Sequence, residues 1–312
     1  MSRVAVIAVG GNSLVLDNRR NSFEDQYASI LDTSRYIVEL VGDGWTVVIT
    51  HGNGPQVGFS LQRSELARRS VSPVPMDGAV ADTQGTLGYQ FQQVLGNLFR
   101  QRGITKEVAT VITQVEVSDQ DPAFQNPTKP IGSFMDEATA RQRGEQDGWS
   151  VMEDAGRGWR RVVPSPRPQS ILESPVIATL VAAGVCVICC GGGGIPVLRE
   201  GDNYVGVAAV IDKDFASALL ASEMKADMFL MSTGVSQVSL HFGTPEQQDL
   251  SRINLAEARQ YLAEGHFKSG SMKPKIEAAI AFVESTGGRA VITSPDRIGD
   301  AVLGAAGTEI VP

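Results

Sequence analysis

Short β-branched runs alternate along the chain with stretches whose apolar residues recur at helical spacing. Val4–Val9 predicts a buried strand, Glu24–Val41 a helix, and Thr46–Thr50 a second strand running into His51-Gly52-Asn53-Gly54. Pro55 suits the first turn of a following helix, where its missing N–H costs nothing. Gln84–Phe99 reads as helix and Glu107–Val115 as strand. Farther on come a helix over Ile171–Ala183, a strand over Val185–Cys190, an extended Val205–Ile211 and a helix over Asp214–Lys225. Met228–Met231, Gln237–Phe242, Ala290–Thr293 and Glu309–Val311 predict strands, and Leu255–Ala263 a helix. Within Met272–Glu284, residues Ile276, Ala279, Ile280 and Val283 fall at helical spacing. This alternation predicts an α/β chain with a largely parallel sheet covered by helices. No period of about 20–50 residues recurs, which argues against a solenoid.

Residues 116–165 break the rhythm. They are polar and rich in proline and charge, with Asp119, Asp121, Pro122, Pro127 and Pro130, and they close on Trp159-Arg160-Arg161-Val162-Val163-Pro164. The aromatic and β-branched content predicts a small hairpin-bearing subdomain, a lid inserted into a single domain spanning 1–312.

Composition narrows the classes. The chain has 312 residues, 42% of them hydrophobic, enough to bury a large core without staples. A net charge of −8 argues against nucleic acid or an anionic membrane as partner, since both demand a basic surface. Trp159-Arg160-Arg161 is one isolated basic pair within that acidic chain. The three cysteines, Cys186, Cys189 and Cys190, form no disulfide framework and point to a reduced compartment. Cys186-x-x-Cys189 has zinc-like spacing, but no second pair accompanies it, and residues three apart on a strand face opposite sides. No run approaches the ~18 apolar residues of a membrane span, and Val4–Val9 is too short for a signal's apolar region. The sequence therefore predicts a cytoplasmic protein.

Glycine is in excess, 33 of 312 residues against an average of about 7%. Much of it sits where predicted strands end: Val9-Gly10-Gly11-Asn12, His51-Gly52-Asn53-Gly54 and Cys190 followed by Gly191–Gly194. Ligands of open α/β sheets lie beyond such strand ends, and loops lacking Cβ atoms let backbone N–H groups approach phosphate oxygens. Tight strand-to-helix turns alone would also use glycine, but three such loops favour anion-cradling turns. Their class is narrowed by exclusion, since the chain has no Walker-type loop, no dinucleotide fingerprint, no protein-kinase catalytic loop and no nucleophile elbow. Three lysines have unusual settings. Lys213 lies between Asp212 and Asp214 at a helix start, where a solvated cap with Asp214 as N-cap is one reading and orientation toward a phosphoryl group the other. Lys275 opens a helix beside Pro274, and Lys129 is held between Pro127 and Pro130.

Together with Gln84-Gly85-Thr86, Asp121-Pro122-Ala123-Phe124, Asn126–Gly132, Arg160–Pro166, Ile211–Asp214 and Gly270–Lys275, these segments resemble the carbamate kinases of the amino-acid kinase superfamily over essentially the whole length. The resemblance implies a three-layer α/β/α sandwich with a mainly parallel central sheet and a small protruding subdomain, usually as a homodimer. It implies reversible phosphoryl transfer between ATP and carbamate, giving ADP and carbamoyl phosphate. Mg²⁺ would be held mainly by the nucleotide phosphates, with no dedicated protein metal site. Gly10, Gly11 and Asn12 would then hold the transferring phosphoryl, and Gly52, Asn53 and Gly54 would border the carbamate. Lys213 and Lys275 would neutralise phosphate charge with Asp214 holding them, and Lys129 would reach in from the subdomain. Gly192, Gly193, Asp212, Thr233, Met272 and Pro274 would meet the nucleotide. The carbamate oxygen is already anionic, so no general base is required, and His51 is read as a structural residue whose ring bonds the turn.

Overall fold

The computed structural model describes residues 3–10, 22–154, 156–268 and 270–312. The first half contains β1 (Val4–Val9), α1 (Phe23–Gly42), β2 (Thr46–His51), α2 (Gly54–Ala67), α3 (Met76–Arg102), β3 (Val108–Thr110) and β4 (Gln114–Val117). Next come β5 (Lys129–Met135), α4 (Glu137–Asp147), β6 (Ser150–Glu153), β7 (Trp159–Val163) and β8 (Pro168–Ile171). They are followed by α5 (Ser174–Ala182), β9 (Cys186–Ile188), β10 (Ile195–Glu200), β11 (Asn203–Gly206), α6 (Lys213–Glu223) and β12 (Met228–Ser232). The chain closes with β13 (Val238–Leu240), β14 (Gln248–Leu250), β15 (Arg252–Asn254), α7 (Leu255–Ala263), α8 (Met272–Thr286), β16 (Arg289–Thr293), α9 (Ile298–Val302) and β17 (Thr308–Val311).

Because every position of β1 is apolar, it is buried on both faces, as parallel sheets require. It lies inside an eight-stranded sheet ordered β15-β17-β16-β12-β1-β2-β9-β3. All pairs are parallel except β16 with β17. Ala5, Ile7 and Val9 point into a core shared with α1, α3 and α9, while Val6 and Ala8 point into one shared with α5, α6, α7 and α8. That is the expected three-layer α/β/α sandwich. The two cysteines of the zinc-like spacing divide between these cores, Cys186 with the first and Cys189 with the second. All three cysteines are free and buried, and burial pushes the Cys186 thiol up to about 12.

Four expectations are corrected. Glu107–Val115 is not one strand: β3 ends the main sheet, while β4 crosses into a second sheet ordered β11-β10-β4-β8. The break falls at Thr113, whose N–H donates to Gln84 Oε1 at 2.8 Å and whose carbonyl accepts both from Gln84 Nε2 at 3.1 Å and from the Ile195 N–H of β10 at 2.9 Å. Ile171 belongs to β8, and the next helix starts only at Ser174, with Pro175 in its first turn. The extended segment from Val205 ends as a strand at Gly206, with a last backbone bond from the Val207 N–H to the Pro196 carbonyl at 3.1 Å. The N-cap of α6 is Asp212, not Asp214: Asp212 accepts from the Asp214 N–H at 3.0 Å.

Within 116–165, β5, β7 and β6 form a three-stranded antiparallel sheet beside α4. Ile131 and Val163 of that sheet pack on Val57 of α2. Ion pairs tie α4 to α2 as well, Arg143 to Glu65 at 2.9 Å and Arg68 to Asp147 at 3.3 Å. Among the described residues no helix is long and apolar enough to cross a membrane.

Candidate active site

The carboxyl ends of β1, β2 and β12 open into one cleft of about 790 Å³. The sheet delivers Gly10 from β1, and Gly52, Asn53 and Gly54 from β2; helix starts deliver Lys213, Asp214 and Lys275. Helix N-termini carry unpaired N–H groups and the positive end of the helix dipole, so α6 and α8 both favour anions at this rim.

Asp214 is the organising charge. Its Oδ1 accepts from Lys213 Nζ and its Oδ2 from Lys275 Nζ, each at 2.6 Å. The three side chains are 6–13% exposed. Burial alone would raise the Asp214 pKa, but the two ammonium groups outweigh it and hold the carboxyl at about 2. Burial, and then repulsion from Lys213, draw the Lys275 pKa below its ordinary value, with Asp214 opposing both. Beside this triad, Lys129 reaches in from β5 and pairs with Asp212 at 3.0 Å. Three ammoniums against two carboxylates leave the cluster one positive charge in excess.

The four-glycine run is shaped by packing. Gly192, Gly193 and Gly194 take positive φ values of 69, 96 and 88°. A Cβ on Gly191 would lie 2.6 Å from the His51 ring, and one on Gly192 would overlap the Asn53 amide. Asn53 is in turn fixed by donating to Thr83 Oγ1 at 2.7 Å, whose hydroxyl donates to the Val80 carbonyl at 2.7 Å. Elsewhere the glycine excess serves helix–sheet contact: a Cβ on Gly88 would strike Thr110, and one on Gly206 would strike Asp77. Part of the glycine excess is thus spent on close packing of helices against strands, not on the turns at strand ends.

His51 is fully buried, stacks on Phe91 with ring centroids 5.7 Å apart, and bonds the Gly52 carbonyl through Nδ1 at 3.1 Å. Burial lowers its pKa to about 4, opposed by the Gly52 bond and aided by Lys213. The ring is neutral at pH 7 and does not line the cleft.

Of the residues singled out in the sequence, Gly10, Gly52, Asn53, Gly54, Lys129, Gly192, Asp212, Lys213, Asp214, Thr233, Met272 and Lys275 line this single cleft. Gly193 and Pro274 do not; Gly193 is buried, and a Cβ on it would strike the Ile211 carbonyl. Gly11 and Asn12 lie outside the described residues. The resemblance implies that the segment after Met231 lines an adenine pocket, but sequence reasoning named none of the side chains that form this far wall: Gln237, Ser239, His241 and Phe242 around β13, and His266 and Phe267 after α7. A signal was there, because Gln237, Ser239 and His241 alternate with apolar Val238, Leu240 and Phe242. Among the described residues no group of three or more His, Cys, Asp or Glu is placed to hold a metal ion.

Fold and site together define a phosphate-handling α/β protein, and the chain belongs to the amino acid kinase family, which it matches over residues 3–294. It is 48% identical to the carbamate kinase of Thermococcus kodakarensis over 314 residues, covering 100% of this chain and 99% of the relative. It is also 48% identical to the carbamate kinase-like protein YqeA of Escherichia coli, covering 99% of each. Among solved structures, carbamate kinase from Giardia lamblia bound to AMP-PNP superposes with a TM-score of 0.94 at 39% identity, covering 99% of this chain and 98% of that one.

Proposed function

We infer that the chain is a carbamate kinase, catalysing ATP + carbamate ⇌ ADP + carbamoyl phosphate. The observation that carries this reading is Asp214 gripping Lys213 and Lys275 at the strand ends, in a chain like carbamate kinases along its whole length.

The chemistry follows from what phosphoryl transfer demands, which is positioning and charge stabilisation rather than covalent catalysis. The attacking carbamate oxygen is anionic and needs no base, consistent with a buried, neutral His51. An ammonium has three donors, and Asp214 occupies one on each lysine. Two donors per lysine remain to bond phosphate oxygens, aimed by a carboxylate that stays ionised. Gly10, with Gly11 and Asn12, would hold the transferring phosphoryl; Gly52, Asn53 and Gly54 would border the carbamate. Asp212, Gly192, Thr233 and Met272, which line the cleft, would meet the nucleotide. Lys129 would close on the reaction centre, with 116–165 acting as its lid.

The family implies a metal associated with the nucleotide, and the donor set fits a phosphate-held Mg²⁺. Both cleft carboxylates, Asp212 and Asp214, are already engaged by lysines, and Mg²⁺ bound through substrate phosphates needs few protein ligands. When bound it supplies further neutralisation of phosphate charge. We propose a cytoplasmic homodimer working in the direction of ATP formation.

The test is ATP formation from ADP, Mg²⁺ and carbamoyl phosphate, with acetyl phosphate run in parallel. Turnover with carbamoyl phosphate supports the assignment. The equal likeness to YqeA favours, as second reading, a paralogue using another small carboxylate; preference for acetyl phosphate would select it.

A further inference from the structure

Arg167 stands at the neck of the inserted subdomain, between Pro166 and Pro168. Val117 and Pro168 are the last paired residues of β4 and β8 on the side of that neck. Beyond them Asp121 links the outgoing and returning segments. Its Oδ2 accepts from the Arg167 N–H at 2.9 Å, and its Oδ1 from the Ala123 N–H at 2.9 Å. A proline confines the residue before it to extended conformations, so Pro168 adds to the fixed base from which the Arg167 side chain departs. That side chain reaches the two helices that carry the cleft lysines. The guanidinium carbon lies 3.4 Å from the centroid of the Phe215 ring on α6, and Nη2 donates to Glu277 Oε2 on α8 at 2.8 Å. The other cation near Glu277, Lys273, is 4.0 Å away.

Phe215 is two residues beyond Lys213, and Glu277 two beyond Lys275. At 3.6 residues per turn, positions two apart point about 200° from one another. Arg167 therefore holds both helix starts from behind, while the lysines enter the cleft from the front. A backbone bond follows the same path: the Val210 N–H, just ahead of α6, donates to the Pro164 carbonyl of the returning segment at 3.0 Å. α8 has the greater need of such a hold, since Ser271 makes no side-chain cap at its start whereas Asp212 caps α6. We infer that Arg167 is a positioning residue for phosphoryl transfer, joining the neck of the lid to the backs of α6 and α8 and so setting the placement of Lys213 and Lys275. This rests on the reading of those lysines as the groups that stabilise the transferring phosphoryl. Arg167 does not line the cleft and acts only through them. A misplacement of about 1 Å can cost about 10²-fold in rate, whereas an exposed ion pair contributes little to stability. Loss of Arg167 therefore falls on rate more than on folding.

The experiment compares the full chain with Arg167→Ala, Arg167→Lys and Arg167→Ala/Glu277→Gln. It measures ATP formation from ADP, Mg²⁺ and carbamoyl phosphate well below the melting temperature, and amide hydrogen exchange by mass spectrometry. Arg167→Ala is expected to lower kcat at least about tenfold with KM little changed, the pattern of a contact that matters in the transition state. Exchange should quicken in the first turns of α6 and α8 and stay unchanged in β1 and β2. Arg167→Lys keeps a charge for Glu277 but loses the flat face that stacks on Phe215, so its kcat should fall between wild type and Arg167→Ala. The double variant should be no slower than Arg167→Ala, because the link is already gone. A merely structural role would lower the melting temperature and leave kcat per folded molecule unaltered. A wild-type kcat in Arg167→Ala, or faster exchange confined to the neck, overturns the inference. If the wild type turns over no carbamoyl phosphate while exchange quickens at both helix starts in Arg167→Ala, the hold on the lysines stands and only the carbamate assignment falls.

Discussion

Replacing Asp214 by Asn isolates the charge on which the site is built, since shape is kept and one acceptor remains for one lysine. Two ammoniums at 2.6 Å then lose their shared counter-charge in a place where all three side chains are nearly buried. Unit charges about 4 Å apart interact by roughly 4 kcal/mol at an effective dielectric of ~20. Breaking a buried pair from one side costs about 3–5 kcal/mol. Lys275 limits that loss by giving up its proton, because burial and Lys213 already depress its pKa and Asp214 is what opposes them. Neutral Lys275 stabilises phosphate poorly, and losing a preorganised electrostatic contact costs about 10²–10³ in rate. We therefore expect kcat/KM for ATP formation to fall at least about a hundredfold at pH 8. The sign of the pH effect is distinctive. A lysine with a lowered pKa regains its charge on acidification, so residual activity of Asp214→Asn should rise relative to wild type as pH falls from 9 toward 6. The assay is initial rate against pH, with circular dichroism confirming the fold. A folded variant with wild-type rates, or a relative activity flat in pH, would mean that Asp214 does not keep the two lysines charged for catalysis.

Other outcomes follow from the same geometry. The lowered pKa of His51, about 4 against 6.5, means the unfolded chain binds the proton first on acidification. Its contribution is full above pH 6.5 and is lost toward pH 4, about 3 kcal/mol in all; thermal melts of His51→Asn should show a flatter slope across that window. Asp214, held at about 2 against 3.8, gives stability that is full above pH 4 and lost as pH falls toward 2, visible as a second, more acid step in the wild-type melts. Gly192→Ala forces a Cβ into the Asn53 amide at a φ of +69°. It should cost about 1–3 kcal/mol of stability and lower activity as well; a wild-type melting temperature would count against the packing role. Lys129→Ala should raise KM for carbamoyl phosphate and lower the rate, whereas unchanged kinetics would reduce the residue to its pair with Asp212.

Much of the framework was readable locally. Leu255–Ala263 is legible to the residue because Asn254 and Glu257 form a capping box at its start and apolar spacing carries the rest. Val4–Val9 is legible because a strand buried on both faces has no polar position to blur it. The split between β3 and β4 was not, since it depends on Gln84, a side chain far away in sequence, bonding the backbone groups of Thr113. α4 was invisible for a different reason: only Ala140 of its residues is buried, so no apolar stripe marks it. Lys213 and Lys275 each looked chemical alone. That both close on one carboxylate comes from α6 and α8 packing side by side on the sheet, which local pattern does not encode. The polar alternation of Gln237, Ser239 and His241 was legible, but which side faces the cleft is decided by tertiary packing.

This cleft is proposed to move a phosphoryl group from carbamoyl phosphate to ADP on the lysines that Asp214 holds. Phosphorus-31 magnetic resonance of the purified chain with ADP, Mg²⁺ and carbamoyl phosphate tests it most directly. The ATP γ-phosphoryl signal should grow in step with loss of carbamoyl phosphate, and neither change should exceed spontaneous decay with Lys213→Ala. Loss of carbamoyl phosphate no faster than in buffer, with folded wild-type protein present, would contradict it.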